Sequence, residues 1–275
     1  MLIDLKQILL MAERKKAAIP AFNMYNMESV IGVMRAARET GAPVIFQMFN
    51  RLASTEYGTF VANAIQEAIR QLPTPAVFHL DHGAGIPEVM RALRLGVSGA
   101  MIDASTLPLE ENIAKTRAVV SLCKECGVPV EAELGHVGVT SDEKLSDFTD
   151  VSEAKRFASE TGVSALAVMV GTAHGVYKQA PVLDIQRIRD IRKATGLPLV
   201  LHGGSGVPVE QLKMAVDAGI RKVNFATDLC YAFWETVHGF NGTIKAMDVL
   251  MEDPIKAIQR YAVDRIRQLR AEQLK

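Results

Sequence analysis

Residues 76–85 read AVFHLDHGAG, a stretch that places two histidines and an aspartate at the end of an apolar run. The run AVFHLD (76–81) has the length and apolar content of a buried strand, and the glycines that follow mark a turn. Ionisable side chains at the tip of such a strand suggest that it ends at a site. Whether it does depends on what ends the other strands of the chain.

Short apolar runs alternate with longer stretches at helical spacing along the chain. Eight runs are predicted as strands: AAIPAFN (17–23), PVIFQMF (43–49), AVFHLD (76–81), VSGAMID (97–103), VPVEAEL (128–134), SALAVMVG (164–171), PLVLHG (198–203) and RKVNFA (221–226). Helices are predicted between them, as over Met27–Thr40, Leu109–Cys126, Val151–Thr161 and Pro208–Ala218. This alternation predicts an α/β protein, a single (β/α)8 TIM barrel domain over 1–275 with an added C-terminal helix over 254–273.

Composition argues against several classes of function. The 275 residues carry 31 basic and 31 acidic side chains, so the formal net charge is zero and no nucleic-acid-binding surface is indicated. No apolar stretch approaches the roughly 20 residues that span a bilayer, and the N-terminus lacks the apolar segment of a signal peptide. Three cysteines fit a reducing compartment better than a disulfide framework. We therefore expect a cytoplasmic protein that binds neither nucleic acid nor membrane.

Polar side chains follow all eight predicted strands, at the end of the barrel where active sites of this fold lie. They are Asn23, Gln47, Asp81, His82, Asp103, Glu133, His174, His202 and Asn224. Any one of them is weak evidence, because strand ends are commonly polar. A complete ring of chemically competent side chains predicts an active site.

Three of the six histidines, His82, His174 and His202, end strands three, six and seven, and each lies beside a glycine. Three imidazoles that leave a coordination position open are typical of catalytic zinc. The alternative is three unrelated loop histidines bonded to the backbone. Because all three converge on one rim, the metal site is the favoured interpretation.

The acids and the remaining strand histidine have more than one interpretation. Asp81 precedes a predicted ligand and is placed to move protons on whatever the metal polarises, although it could instead only orient a histidine. For Asp103 and Glu133, catalysis and a supporting or alternative metal contact are about equally supported. His79 lies within its strand and is expected to be a hydrogen-bonded partner rather than a ligand.

Two glycine-containing or helix-opening loops indicate phosphate binding. HGGSG (202–206) closes strand seven, and its glycines let backbone N–H groups approach an anion while Ser205 adds a hydroxyl. NFATD (224–228) closes strand eight and opens a helix, whose N-terminus attracts anions. Ordinary turns would explain either loop alone. Together, after strands seven and eight, they predict a phosphorylated ligand.

The segments HLDHG, MIDAS, VEAELGHVG, VGTAHGVY, LVLHGGSG and VNFATDL resemble the class II, metal-dependent ketose-bisphosphate aldolases of fructose and tagatose type, in order from Ile19 to Leu229. The resemblance implies a lyase that reversibly cleaves a ketose phosphate or bisphosphate to dihydroxyacetone phosphate and an aldehyde. It implies Zn²⁺ on His82, His174 and His202, with Asp103 and Glu133 at a secondary metal position. It also implies a monovalent cation (Na⁺ or K⁺) near the phosphate and a homodimer or homotetramer, with a companion subunit in some tagatose-type members.

The resemblance further assigns roles to individual residues. Asp81 would exchange a proton with the aldehyde or hydroxyl oxygen, and Glu143, or its neighbour Asp142, would remove the α-proton of dihydroxyacetone phosphate. The substrate would lie against Asn23, Gln47, Gly175, Gly203, Gly204, Ser205, Asn224, Phe225, Ala226 and Thr227.

Some features depart from the family pattern. Val139 takes the place of the second glycine in the loop after Glu133, and Ala226 stands where fructose-specific members often have aspartate. The C-terminal region lacks a recognisable basic residue for a second phosphate, for which Arg51 and Arg260 are candidates. Two other functions stay open: another zinc barrel enzyme such as a metal-dependent hydrolase, and a non-catalytic aldolase-like subunit.

Overall fold

A computed structural model describes residues 1–140, 148–240, 242 and 246–274. Within these residues, parallel strands pair in chain order and close into a barrel, with β1 also paired to β8. The strands are β1 (Ile19–Asn23), β2 (Val44–Phe49), β3 (Ala76–Gly83), β4 (Gly99–Ile102), β5 (Val130–Leu134), β6 (Ala165–Val168), β7 (Leu199–Leu201) and β8 (Ile220–Phe225). The predicted (β/α)8 TIM barrel is confirmed.

Helices connect the strands on the outside of the barrel. They are α1 (Leu5–Lys15), α2 (Met27–Thr40), α3 (Asn50–Ala53), α4 (Glu56–Gln71), α5 (Ile86–Arg94), α6 (Leu109–Glu125), α7 (Val151–Thr161), α8 (Ile185–Thr195), α9 (Val209–Ala218), α10 (Thr227–His238) and α11 (Met247–Gln268), followed by a 3₁₀ turn (Ala271–Gln273). Helices α2 and α7 have the predicted bounds, and both stop at a glycine in the left-handed conformation, Gly41 and Gly162. No helix of the described part of the chain is long and apolar enough to cross a bilayer.

The C-terminal helix is present but begins earlier than predicted, at Met247 instead of residue 254. The predicted start falls on a proline, a residue that suits the first turn of a helix. Pro254 lies inside α11, where it lacks an N–H for the helical hydrogen bond. Burial opposes this loss: α11 packs on α2, and a Cβ on Gly32 would lie 2.6 Å from Ile258 Cγ2. The close approach of the two helices holds α11 continuous through its proline.

Strands β6 and β7 end earlier than predicted, at Val168 and Leu201, and a left-handed glycine follows each within three residues. Gly171 has φ 114° and Gly203 has φ 65°, conformations that only glycine adopts readily. Beyond β6 and β7 the chain therefore turns over the end of the barrel, and the residues after these strands become the walls of a cleft.

Candidate active site

The carboxyl ends of the strands open into a cleft of about 560 Å³. Its lining includes most of the residues singled out in the sequence: Asn23, Asp81, His82, Asp103, His174, Gly175, Gly203, Ser205, Asn224, Ala226 and Thr227. The other described candidates, Gln47, Glu133, His202, Gly204 and Phe225, are buried and are not among the residues that line the cleft. The structure thus gathers the predicted ring on one rim.

The three glycine-flanked histidines form a compact group. The ring centroid of His82 lies 4.8 Å from that of His202 and 5.2 Å from that of His174. One nitrogen from each ring lies within 4.8 Å of the others, close enough to hold one metal ion. Strands three, six and seven therefore deliver their histidines to one point.

Each of these imidazoles is held by an oxygen atom on one of its two nitrogens. The contacts are His82 Nδ1 with Asp103 Oδ2 at 2.7 Å, His174 Nδ1 with the Val137 carbonyl at 3.1 Å, and His202 Nε2 with Glu131 Oε1 at 3.0 Å. An oxygen acceptor fixes the ring N–H on the nitrogen that it contacts and leaves the other nitrogen free for a metal. The second nitrogen of each ring is therefore the one available to a metal ion.

His82 reaches this position through an irregular backbone. Its φ is 50°, and the register of β3 against β4 shifts between Leu80 and Gly83. Left-handed conformations cost a non-glycine residue about 1–2 kcal/mol and concentrate at functional sites. Adjacent side chains in a regular strand point to opposite faces, whereas here Asp81 and His82 both line the cleft. Nothing in the sequence indicates this bulge.

Asp103 and Glu133 lie beside the histidines, and together with His82 they form a second group that could hold a metal ion. Glu133 Oε1 accepts a hydrogen bond from the Val137 N–H at 2.9 Å, while Oε2 lies 3.4 Å from His202 Nδ1. Glu133 Oε2 is buried without a hydrogen bond among the described residues. An unsatisfied carboxylate oxygen beside imidazoles fits a cation, and nitrogen ligands with carboxylates suit zinc and similar divalent metals.

Burial and neighbouring charges shift the pKa values of His82 and His174 in opposite directions. Burial by itself lowers the pKa of His82, but the carboxylates of Asp81, Asp103 and Glu133 outweigh it and raise the pKa to about 9. Burial and the positive charges of His202 and His82 lower the pKa of His174 to about 4. A metal entering near neutral pH would therefore displace a proton from His82 but not from His174.

Asp81 sits at the end of a chain of amide hydrogen bonds. Asn23 Nδ2 donates to one carboxylate oxygen at 2.8 Å and Asn224 Nδ2 donates to the other at 3.2 Å, while Gln47 Nε2 donates to Asn23 Oδ1 at 2.6 Å. Burial raises the pKa of Asp81, yet the positive charges of His82, His202 and Lys222 and the bond from Asn23 lower it overall. Asp81 is therefore an ionised carboxylate beside the three histidines. Gln47 fixes the orientation of the Asn23 amide that donates to Asp81.

The loops after β7 and β8 are joined to each other. The Gly206 N–H donates to Asp228 Oδ2 at 3.1 Å, and the Asp228 N–H donates to Ser205 Oγ at 3.2 Å. The first turn of α10 begins at Thr227, beside this loop. A Cβ on Gly203 would lie 2.4 Å from the Ala173 carbonyl. The two loops are therefore held side by side, and the helix N-terminus that they place at the cleft suits a phosphate.

Tyr177 was part of a quoted segment but received no role from sequence. Its hydroxyl donates to the Ala173 carbonyl at 2.7 Å or the Gly203 carbonyl at 3.0 Å, and accepts from the Ala173 N–H at 2.8 Å. It therefore ties the loop that carries His174 to the loop that carries Ser205. Only the position of a tyrosine three residues after His174 could have suggested this role.

Four further candidates have different outcomes. Glu143 and Asp142 lie outside the described residues. Arg51 lines the cleft, with its guanidinium 5.2 Å from the centre of the Phe49 ring, which lies 5.4 Å from the His82 ring. Arg260 is exposed on α11 and is not among the residues that line the cleft.

The sequence matches the family described as fructose-bisphosphate aldolase class-II over residues 3–273. Among solved structures, the YdjI aldolase from Escherichia coli K12 is 32% identical, with a TM-score of 0.90 and coverage of 99% of this chain and 98% of that one. A putative fructose-1,6-biphosphate aldolase from Coccidioides immitis is 26% identical, with a TM-score of 0.90 and coverage of 97% and 96%.

A third structure, fructose-bisphosphate aldolase from Campylobacter jejuni, is 23% identical and has a TM-score of 0.83, covering 98% of this chain and 96% of that one. At this identity the likeness speaks for the fold alone. The alignments with the first two structures cover nearly the whole length of both chains. The similarity therefore includes the cleft at the strand ends as well as the barrel.

Proposed function

The chain belongs to the class II fructose-bisphosphate aldolase family, and we propose that this lyase is zinc-dependent and cleaves a ketose phosphate or bisphosphate reversibly to dihydroxyacetone phosphate and an aldehyde. The observation that carries the proposal is the group formed by His82, His174 and His202, each already oriented by an oxygen. Asp103 and Glu133 would offer a second metal position beside it.

Dihydroxyacetone phosphate would bind with its phosphate on the joined loops after β7 and β8. In one loop, Gly203 and Ser205 line the cleft and the Ser205 hydroxyl would donate to the phosphate, while the Gly204 N–H is bonded to the Asn224 carbonyl at 3.0 Å. In the other loop, Thr227 begins the helix. Gly175, Asn224 and Ala226 line this end of the cleft, whereas Phe225 is buried. A monovalent cation would offset the charge of the phosphate. The rest of the donor then extends toward the histidines.

A zinc ion bound by the three imidazoles would act as a Lewis acid on the donor oxygens and stabilise the charge left when the α-proton is removed. We assign that proton removal to Glu143. Asp81, fixed by Asn23 and Asn224, would hold the proton exchanged with the aldehyde oxygen during condensation and the reverse cleavage. Two carboxylates would thus serve the two halves of the reaction.

The lysines of the barrel argue against a Schiff-base route. No lysine is among the described residues that line the cleft. Lys222, inside the barrel, is fully buried and forms an ion pair with Glu131 at 2.9 Å. A lysine held as a buried cation is a poor nucleophile, which supports metal-assisted chemistry.

Arg51 would bind an anionic group on the aldehyde half of the substrate. It is the one lysine or arginine among the described lining residues, and it lies on the side of His82 that carries Phe49. Its guanidinium suits a phosphate or a carboxylate. The family's usual basic residue for this role is not recognisable near the C-terminus, so Arg51 is the candidate that the cleft offers.

Assembly and location complete the proposal. We propose a homodimer or homotetramer, supported by exposed apolar side chains such as Trp234 at 57% and Met247 at 67% exposure. A companion subunit stays an alternative occupant of such a surface. The free thiols of Cys123, Cys126 and Cys230 suit a reducing compartment such as the cytoplasm.

The test is aldol condensation with a panel of aldehydes. Purified protein, reloaded with zinc after stripping by a chelator, would be incubated with dihydroxyacetone phosphate and each aldehyde. Product formation that is lost on stripping and recovered with zinc supports the proposal. Condensation that persists in the stripped protein would contradict its zinc dependence.

A further inference from the structure

The interior of the barrel below the three histidines holds a cluster of fully buried ionisable side chains. Glu131 of β5, Lys222 of β8 and His79 of β3 each have 0% exposure. Lys222 Nζ lies 2.9 Å from Glu131 Oε2 and 3.2 Å from Oε1. His79 Nε2 lies 3.4 Å from Glu131 Oε2, outside hydrogen-bonding geometry. Buried ion pairs are often no more stable than well-packed apolar replacements, so fold stability alone does not explain the pair.

The cluster contacts the group of His82, His174 and His202 through one carboxylate oxygen, Oε1 of Glu131. Glu131 Oε1 lies 3.0 Å from His202 Nε2, and the other ring nitrogen, Nδ1, lies 3.1 Å from His82 Nε2. Neither Glu131 nor Lys222 is among the described residues that line the cleft. The ion pair therefore reaches the three histidines by direct contact with His202, and the charge of Lys222 acts on Asp81 as well.

We propose that Lys222 and Glu131 are positioning residues that select the tautomer of His202. The Lys222 ammonium, a donor only, fixes the Glu131 carboxylate as an acceptor toward both the ammonium and His202. His202 then carries its N–H on Nε2, and the lone pair of Nδ1 faces the metal position. This inference rests on the proposed metal-dependent function and adds two residues that act below the ligands.

Glu131→Gln is a discriminating change because an amide has one oxygen where the carboxylate has two. The Lys222 ammonium takes that oxygen, so the amide NH₂ faces His202 Nε2 and becomes a donor to it. The proton of His202 then moves to Nδ1, the nitrogen that must bind the metal. Loss of such a supporting partner typically weakens metal binding about 10–100-fold.

Removing Lys222 as well should reverse part of this loss. In the double variant Glu131→Gln/Lys222→Met, no ammonium competes for the amide oxygen. The amide can rotate, and its oxygen can accept from His202 Nε2 again. We therefore expect the double variant to bind zinc more tightly than the single variant, whereas two merely structural losses would add to each other.

The experiment measures the zinc Kd of stripped protein by competition with a chromophoric chelator. The variants are wild type, Glu131→Gln and the double variant. Glu13→Gln is the matched control, because Glu13 pairs with Arg221, the neighbour of Lys222 on β8, at 3.0 Å outside the barrel. We expect a Kd about 10–100-fold weaker for Glu131→Gln, partial recovery in the double variant and no change in the control. Long-range ¹H–¹⁵N spectra of the imidazoles would show the proton of His202 moving from Nε2 to Nδ1 in Glu131→Gln alone.

The outcomes separate this inference from the proposed function. A wild-type protein that does not bind zinc contradicts the proposed function itself. Wild-type binding with an unchanged Kd in Glu131→Gln overturns the role of Glu131, and a double variant no tighter than the single one overturns the role of Lys222. Should Glu131→Gln not fold, the apolar pair Glu131→Leu/Lys222→Met keeps the interior charge balanced. It should bind zinc at least 10-fold more weakly, and an unchanged Kd there would equally overturn the inference.

Discussion

Asp81→Asn removes one charge from the cleft with almost no change in shape, and its effects can be worked out from the hydrogen bonds of Asp81. Asn23 and Asn224 each donate to the carboxylate, so an amide in its place turns an NH₂ toward one of these donors. Asn23 cannot simply rotate, because Gln47 donates to its oxygen at 2.6 Å. Asn224 can turn, because its Oδ1 has no partner among the described residues, so the loss is that of hydrogen bonds to a charged acceptor. It should lower the free energy of unfolding by about 1–3 kcal/mol.

The loss in catalysis should be larger than the loss in stability. A positioned acid or base contributes about 10²–10⁴-fold, which is about 2.7–5.5 kcal/mol in the barrier. We expect kcat for condensation and cleavage to fall by this factor. Exchange of the α-proton of dihydroxyacetone phosphate should persist within about tenfold, since we assign that step to another carboxylate.

The assay compares condensation rate with solvent exchange in D₂O on the same preparation. Asp184→Asn is the matched control: Asp184 caps α8, is not among the lining residues described for the cleft, and asparagine caps a helix equally well. Its turnover should equal wild type. Condensation by Asp81→Asn above a tenth of the wild-type rate, or loss of exchange in step with condensation, would refute the role given to Asp81.

Three further predictions follow from the same geometry. Arg51→Met should raise KM for phosphorylated or carboxylated aldehydes about 10-fold or more. It should leave KM for uncharged aldehydes and the exchange of the donor α-proton unchanged, and Arg260→Met is the control that should change neither. An equal rise in KM for uncharged aldehydes would contradict an anion subsite. Tyr177→Phe removes the hydroxyl that bonds to both Ala173 and Gly203. It should lower the free energy of unfolding by about 1–3 kcal/mol and raise KM for dihydroxyacetone phosphate. An unchanged KM would show that the Tyr177 hydroxyl does not position the phosphate-binding loop. The zinc-free protein should lose stability as pH rises from about 6.5, the ordinary pKa of an unfolded histidine, to about 9, the raised pKa of His82. The bound proton favours the folded state only below that window, and a thermal denaturation series in which stability rises with pH there would contradict it.

The fold could be predicted because its signals are local and repeated. Each predicted strand lies in the barrel within a few residues, and helices such as α2 and α7 stop where glycines at 41 and 162 permit left-handed turns. The position of the chemistry followed from topology, since parallel strands of a barrel end on one rim. His82, His174 and His202 could therefore be grouped although they are far apart in the chain.

Other features of the site depend on three-dimensional geometry that the order of strands and helices in the sequence does not indicate. The φ of 50° at His82 follows from a bulge, and a histidine gives no sign of it. Gln47 ends a strand as a substrate ligand would, yet its side chain is buried and donates to Asn23. In the sequence, Lys222 and Glu131 are charged residues within predicted strands, with nothing to indicate that they pair. Only closure of the barrel brings β5 and β8 close enough for the ion pair to form.

The central claim is that this cleft activates dihydroxyacetone phosphate with the help of a metal, and one measurement tests it without a guess at the aldehyde. Purified, zinc-loaded protein would be incubated with dihydroxyacetone phosphate in D₂O, and loss of the α-proton signal would be followed by NMR with and without a chelator. We expect exchange in the zinc-loaded protein, its loss on chelation and its return with added zinc. Absence of exchange from protein with zinc confirmed in place, or exchange that the chelator does not affect, would contradict the account.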